Sequence, residues 1–516
     1  MTTTLFTGGT VRPQTERATA AWVLIDDGVV AGVGDSDDTP RADRVVDLAG
    51  GTLVPAFCDA HVHLPATGLY AAGLDLRGET SAWRIVEALA ARARAGDALL
   101  FGGNFEDPRD EPLTRAHLDR AVGGRPALLA RADMHSCVVS TGLLEQLDLD
   151  GLEGVDLDPA GERTGYLREH AAAAAWRWFD AHLPRSDHVA AIRAAVQLAY
   201  SRGLSAVHEM FVVEWRGWDS LDIVRAALEG PALHVVTYLA TTDVALVKRL
   251  RLPCIGGDLF LDGSLGSHTA WMSEPYDPRP PAGSPPSGIR YRRDDELLDF
   301  FLAAQRAGLQ TGVHAIGDAA IEQAIAAWEK VAQLIGWEPV RMLGHRIEHF
   351  ECARDDHLAR ARALGLRISV QPAFDRLWGG DSGLYAHRIG VARARTMNRF
   401  ASMLRVGLEL GAGSDSTVTP LDPFLQMASL RTHHDEGEAM EGERALWLHT
   451  GGAHGLAPST GLRRGLLDPG LPSPADLAWL DRDPVFSAPD ELLATEVLGT
   501  WIGGRRVWPE EEAESE

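Results

Sequence analysis

Apolar and polar residues alternate over short runs at both ends of the chain, and apolar positions recur at helical spacing through the middle. Near the start, Ala21-Trp-Val-Leu-Ile25 reads as a strand, Asp26-Asp-Gly28 as a hairpin turn and Val29-Val-Ala-Gly-Val33 as the returning strand. The pattern returns near the end, where Ala478-Trp-Leu480 and Glu496-Val-Leu-Gly-Thr-Trp-Ile502 bracket Gly503-Gly504. Two strand-rich ends around a long mixed middle predict one small β domain folded from both termini. In the middle, Ala- and Arg-rich stretches at 83–95, 189–201 and 319–334 read as helices. They alternate with β-prone runs at 127–132, 204–209, 233–239, 258–262, 310–314, 344–349, 367–371 and 411–415. Such alternation favours a parallel α/β architecture, and this many strands favour a closed (β/α)8 barrel over an open sheet. With the strand that ends at His61 the runs exceed eight, so at least one belongs elsewhere, for example to an insertion. The Pro- and Gly-rich stretch from Pro275 to Gly288 reads as a long loop.

Composition narrows the class of partner. At 516 residues the chain exceeds one ordinary domain, and 45% hydrophobic with 24% charged residues are globular values. No run of eighteen apolar residues appears, so no membrane span is expected. The start, Met1-Thr-Thr-Thr-Leu-Phe, lacks the basic and then apolar regions of a signal peptide. Cys58, Cys137, Cys254 and Cys352 lie far apart without CxxC spacing, which reads as reduced thiols in a cytoplasmic protein. The net charge of -24 argues against nucleic acid, leaving a small molecule as the expected partner and homo-oligomers open.

The candidate chemistry lies at the C-terminal tips of the predicted strands, where barrel enzymes place their catalysts. His61 and His63 close the run Leu53-Val-Pro-Ala-Phe-Cys-Asp-Ala-His-Val-His63, and residues two apart on a strand point to the same face. Two converging imidazoles suit Zn²⁺ or a similar ion. His314 in Thr311-Gly-Val-His-Ala-Ile-Gly-Asp318, His349 in His345-Arg-Ile-Glu-His349 and Asp415 in Gly411-Ala-Gly-Ser-Asp415 end strands further along. Singly, these have plain readings as a core histidine, a turn residue and a helix cap. Together they form a donor set for one Zn²⁺, or for two if a further ligand bridges.

These motifs, with Leu261-Asp-Gly-Ser-Leu-Gly-Ser-His-Thr-Ala270, resemble the amidohydrolase superfamily, in particular the family 3 branch that includes N-substituted formamide deformylases. The resemblance covers nearly the whole chain. It implies a TIM-like (β/α)8 barrel with a small β-sandwich built from both termini. The expected division is 1–55 for one part of the sandwich, 56–455 for the barrel with an insertion near 64–200, 456–510 for the other part, and 511–516 as an acidic tail. It further implies metal ligation by His61, His63, His314, His349 and Asp415, with Asp415 taking a proton from the attacking water and returning it to the leaving amine. His345, Arg346 and Glu348 are expected to pack or to support the ligands, and Asp318 to orient its neighbours. His135, in Arg131-Ala-Asp-Met-His-Ser136, resembles a position that faces the substrate, against a plain reading as a loop histidine.

One departure concerns a lysine whose carbamate bridges two metals in many relatives. Aligning through Leu259-Phe-Leu-Asp-Gly-Ser264 places Asp258 there, and the only lysines, Lys248 and Lys330, fall in predicted helices. Asp258 is several atoms shorter than a lysine carbamate, so one Zn²⁺ per chain is favoured over two, with Asp258 as a ligand or near neighbour. Glu209, in Ala206-Val-His-Glu-Met210, is the rival carboxylate, and His208 is expected to pack. The expected function is hydrolysis of a C–N bond in an amide, formamide or cyclic amide. The alternatives are ester, lactone or carbamate hydrolysis on the same site, a metal-dependent lyase or decarboxylase, or a non-catalytic metal-binding regulatory protein.

Overall fold

The strand that carries His61, Phe57–Val62, is buried along its whole length, as a strand covered on both faces must be. It pairs in parallel with Leu204–Phe211, which pairs in parallel with His234–Leu239. A second parallel sheet runs in the order Cys254–Ile255, Gln310–Ala315, Arg346–His349, Arg367–Val370 and Glu409–Ala412. One edge of the first sheet meets the second through the isolated parallel bridge Val62–Ser416. At the other edge the Gly256 amide donates to the Leu239 carbonyl at 2.8 Å. The parallel ladders thus resolve as a three-stranded and a five-stranded sheet with single contacts between their edges. In this computed structural model the described residues are 3–35, 38–95, 100–230, 232–280, 284–459 and 461–510; the acidic segment 511–516 lies outside them.

Helices cover the outer faces. Arg185–Ser201 buries Ile192 and Val196, and Asp318–Ile335 buries Ile321, Ile325 and Trp328, in the same apolar cluster as Val62, Val207, Val313 and Ile368. Both helices carry their apolar residues at three- and four-residue spacing, so one stripe faces the strands. The predicted strand at 258–262 is not formed. Gly256 and Gly257 have φ of 89° and 73°, so the chain leaves the sheet after Ile255 and only Phe260 makes a bridge, to His314.

The expected strand at 127–132 joins a separate six-stranded sheet in the order Val155–Leu157, Arg163–Arg168, Ser136–Val139, Ala127–Arg131, Leu100–Phe105 and Leu74–Asp75. All of it lies within the segment expected to be inserted. The termini contribute two sheets. Thr3–Thr7, Trp22–Asp26, Val29–Gly34 and Arg44–Asp47 form one. In the other, Thr52–Pro55 pairs with Leu477–Leu480, which continues to Val497–Ile502 and Arg505–Trp508. Phe6, Val23, Ile25, Leu53, Leu477 and Trp501 share one apolar cluster between them. Arg12, 2% exposed, pairs with Glu443 and Asp483 at 2.6 Å each and so ties the N-terminal segment to late parts of the chain. Among the described residues no helix is long and apolar enough to cross a membrane.

Candidate metal centre

His61, His63, Asp258, His314, His349 and Asp415 come together at the C-terminal ends of the parallel strands, all buried. Asp258 stands in the middle. Its Oδ2 lies 3.2 Å from His61 Nε2 and 3.1 Å from His63 Nε2. Its Oδ1 lies 3.6 Å from both His314 Nδ1 and His349 Nε2. Asp415 Oδ1 faces the first pair, at 3.4 Å from His61 Nε2 and 3.3 Å from His63 Nε2.

The other nitrogen of each ring is held from outside the cluster. His61 Nδ1 donates to Glu348 Oε2 at 3.0 Å, and His63 Nδ1 donates to the Met210 carbonyl at 2.8 Å. His349 Nδ1 donates to Gln371 Oε1 at 2.8 Å, and His314 Nε2 to the Gly263 carbonyl at 3.3 Å. An acceptor on one ring nitrogen fixes the tautomer that presents the other nitrogen's lone pair, the usual support for a metal-ligating histidine. The second nitrogen of each ring therefore faces the inside of the cluster, where a cation would take up its lone pair. Asp258 Oδ1, His314 Nδ1 and Asp415 Oδ1 are buried without a hydrogen-bond partner, which is costly unless a further group fills the gap. A divalent cation fits this donor set, and the nitrogen and oxygen donors suit zinc-type ions.

Backbone geometry accounts for the convergence. Asp59 accepts from the His61 and Ser414 amides at 3.0 Å each, joining the ends of the first and last parallel strands. Gly413 is required there, because a Cβ would lie 2.5 Å from the His61 nitrogen. His349 and Asp415 adopt φ of 71° and 51°, a left-handed conformation that costs a non-glycine residue about 1–3 kcal/mol and gathers at functional sites. Arg346 donates to Glu348 at 2.9 and 2.8 Å and to the Ala60 carbonyl at 2.8 Å, all fully buried, so it fixes the carboxylate that orients His61.

Charge in the centre follows from these contacts. Burial opposes the His63 charge, but Asp258 and Asp415 outweigh it and raise its pKa to about 9. His314 goes the other way, to about 4, through burial and the neighbouring His349. Burial opposes ionisation of Asp258, yet the surrounding imidazoles hold its carboxyl well below the usual carboxylate range.

The remaining expected residues separate clearly. Glu209 does not join the cluster: its Oε2 accepts from the Leu64 amide at 2.6 Å, and burial raises its pKa to about 7. His208 packs against Arg346 NH1 at 2.8 Å, and His345 stacks on Trp328 with centroids 3.7 Å apart. Asp318 serves Ser273 and Arg354, away from the centre. His135 reaches the cavity beside the cluster, its ring centroid 5.4 Å from that of His314, and its Nδ1 pairs with Glu169 at 3.0 Å.

That cavity, of about 40 Å³, opens beside His314, His349 and Asp415. Its walls include groups that the sequence patterns did not single out: Arg131 and Asp133 from the inserted sheet, Glu351 just beyond His349, and Phe374 and Tyr385. Glu351 lies two residues beyond His349, but His349 and Phe350 have φ of 71° and 57°, so the alternation that pairs His61 with His63 does not carry on to it and no strand-end signal marked it. Trp378 lines the cavity, whereas Trp271 lies outside it, beneath the guanidinium of Arg290.

Comparison with known proteins agrees with the geometry. A relative named as the amidohydrolase YtcJ of Bacillus subtilis is 28% identical over 530 residues, covering 94% of this chain and 95% of its own. The N-substituted formamide deformylase of Arthrobacter pascens is 24% identical over 93% of this chain and 94% of its own. A crystal structure of an uncharacterized metal-dependent hydrolase from Pyrococcus furiosus superposes with a TM-score of 0.72 at 28% identity, covering 94% of this chain and 100% of that one. The family model described as "Amidohydrolase family" matches residues 44–508, nearly the full length, and the chain is a member of that family.

Proposed function

We propose that this protein is a metal-dependent hydrolase that cleaves the C–N bond of an amide, formamide or cyclic amide with an activated water. The observation that carries this reading is the closed set of four anchored imidazoles around Asp258 and Asp415, with a cavity at its open side. His61, His63, Asp258 and Asp415 would hold the cation, with His314 and His349 completing the shell. Bound there, a divalent ion supplies a Lewis acid that polarises the scissile carbonyl and lowers the pKa of water toward about 7.

The chain's own groups do the rest. In the metal-free protein His61 and His63 outweigh burial and lower the pKa of Asp415; beside a bound cation the same carboxyl would stay ionised. Asp415, which lines the cavity, takes the proton from the attacking water. It then hands that proton to the departing nitrogen, which leaves as the neutral amine. His135, whose charge Glu169 sustains against burial up to a pKa of about 9, faces the substrate oxygen or the leaving group from the opposite wall. The free, buried cysteines support a reducing cytoplasmic setting. The two parallel sheets are read as parts of one eight-stranded ring over 56–455, and the two terminal sheets as the small sandwich of 1–55 and 456–510.

A second reading, with two cations, is favoured by one observation: the Asp258 oxygens face different histidine pairs. Elemental analysis per chain separates the two. The hydrolase reading itself is tested by stripping the metal with a chelator, dialysing, and assaying a panel of formamides and amides with and without added Zn²⁺. Turnover should vanish and return with the ion; hydrolysis that persists in the stripped protein overturns it. Parallel assays of esters, lactones and carbamates decide among substrate bonds.

A further inference from the structure

Glu351 is 3% exposed and lines the same cavity as His314, His349 and Asp415. The Tyr385 hydroxyl hydrogen-bonds its carboxyl group, yet its Oε2 is buried with no partner. A buried acceptor left unpaired is costly, so a fold that keeps one has a group to receive there. Glu351 belongs to none of the clusters of metal-holding spacing. Arg131, Asp133 and His135 on the cavity wall each have a partner of opposite charge, although Asp133 Oδ1, like Glu351 Oε2, is buried without a hydrogen bond. Arg131 is held by Asp133 at 2.7 Å, and Asp133 also accepts from Ser264 and Ser267 at 2.8 and 2.7 Å. Trp378 Nε1 donates to Glu106 at 3.1 Å, and His135 pairs with Glu169. Among the described residues lining the cavity, none supplies a hydrogen to Glu351 Oε2.

We infer that Glu351 Oε2 accepts an N–H of the substrate, which makes the substrate an amide with a second nitrogen donor remote from the scissile carbonyl. This rests on the hydrolase reading for the position of that carbonyl, at the end of the cavity where His314, His349 and Asp415 stand. The donor end then lies between Glu351 and the rings of Phe374, Trp378 and Tyr385. Phe374 and Trp378 have centroids 5.0 Å apart, and aromatic faces attract the positive edge of an N–H or ammonium group.

The test measures binding to the metal-loaded protein by ligand-observed NMR titration, using probes without a hydrolysable carbonyl. Two pairs of matched shape isolate the N–H: tert-butylammonium against tetramethylammonium, and pyrrole against furan. The first pair reports a cationic donor and the second a neutral one. In the wild-type protein at least one donor should bind fivefold or more tightly than its partner, and Glu351→Met should abolish that preference while leaving the neutral non-donor furan unchanged. If Glu351→Met does not fold, Glu351→Gln must still cut the preference at least threefold. Equal binding within both pairs, or a preference that survives the substitution, overturns the inference and leaves Oε2 to an ordinary water. None of these outcomes depends on turnover, so a failed hydrolysis assay with an intact N–H preference would indict the hydrolase reading alone.

Discussion

Asp258 and Asp415 lie in one cluster but have different neighbours, and substitutions should tell them apart. Asp415 faces one histidine pair and the cavity, whereas Asp258 stands between both pairs. Asp415→Asn keeps an oxygen donor and the size of the side chain, so most bound metal should remain while turnover falls about 10²- to 10⁴-fold, the usual worth of a positioned acid–base group. Metal content and kcat measured on the same preparation check this; wild-type kcat would remove Asp415 from the proton path. Asp258→Ala should instead lower metal content itself. If two ions are bound, elemental analysis should find both weakened, since each oxygen faces one pair. Much of this was legible in the sequence, because His61, His63, His314, His349 and Asp415 each end a β-prone run. The reach of Asp258 was not. A side chain shorter than a lysine carbamate serves both pairs because Gly256 and Gly257 carry the backbone inward, a placement that depends on tertiary contacts absent from local pattern.

Elements place these residues through contacts between strand ends. The pair Arg346–Glu348 lies on the strand Arg346–His349 and reaches sideways to His61 on the first strand. Replacing Arg346 with Met leaves Glu348 as an uncompensated buried charge, a defect worth about 3–5 kcal/mol. The expected outcome is a lower midpoint in urea and, through the loosened His61, a loss of metal affinity of about 10- to 100-fold. Denaturation with and without saturating Zn²⁺ separates the two effects. Element type was readable where periodicity was strong, as in Asp318–Ile335, expected at 319–334. It failed at 258–262, where an apolar run follows two glycines in left-handed geometry and leaves the sheet. Periodicity likewise could not say that Ala127–Arg131 belongs to a separate sheet, because neighbours in a sheet are chosen by the whole fold.

At the scale of the molecule, the buried ion pairs tie stability to pH. His135 titrates near 9 in the fold against 6.5 when free, because Glu169 outweighs burial. A raised histidine pKa means that its stabilising contribution is complete below pH 6.5 and is lost as pH rises toward 9. In metal-free protein, the Tm difference between wild type and His135→Gln should shrink over that window, by the equivalent of about 1–3 kcal/mol. A difference that stays constant from pH 6.5 to 9.5 would show that the pair is not charged as described. The β character of both termini and their folding together were read from their alternating runs, but the particular pairing of Thr52–Pro55 with Leu477–Leu480 was not, since nothing local links them.

That partnership has a consequence for synthesis. Emerging from the ribosome first, Thr52–Pro55 and Arg12 must wait for almost the entire polypeptide before Leu477–Leu480 and Asp483 arrive to receive them. A nascent chain halted anywhere short of those residues carries an unmatched strand edge, open to chaperones or to another copy. Arrival of Leu477–Leu480 and Asp483, rather than collapse of the central region, is then the event that closes this pairing.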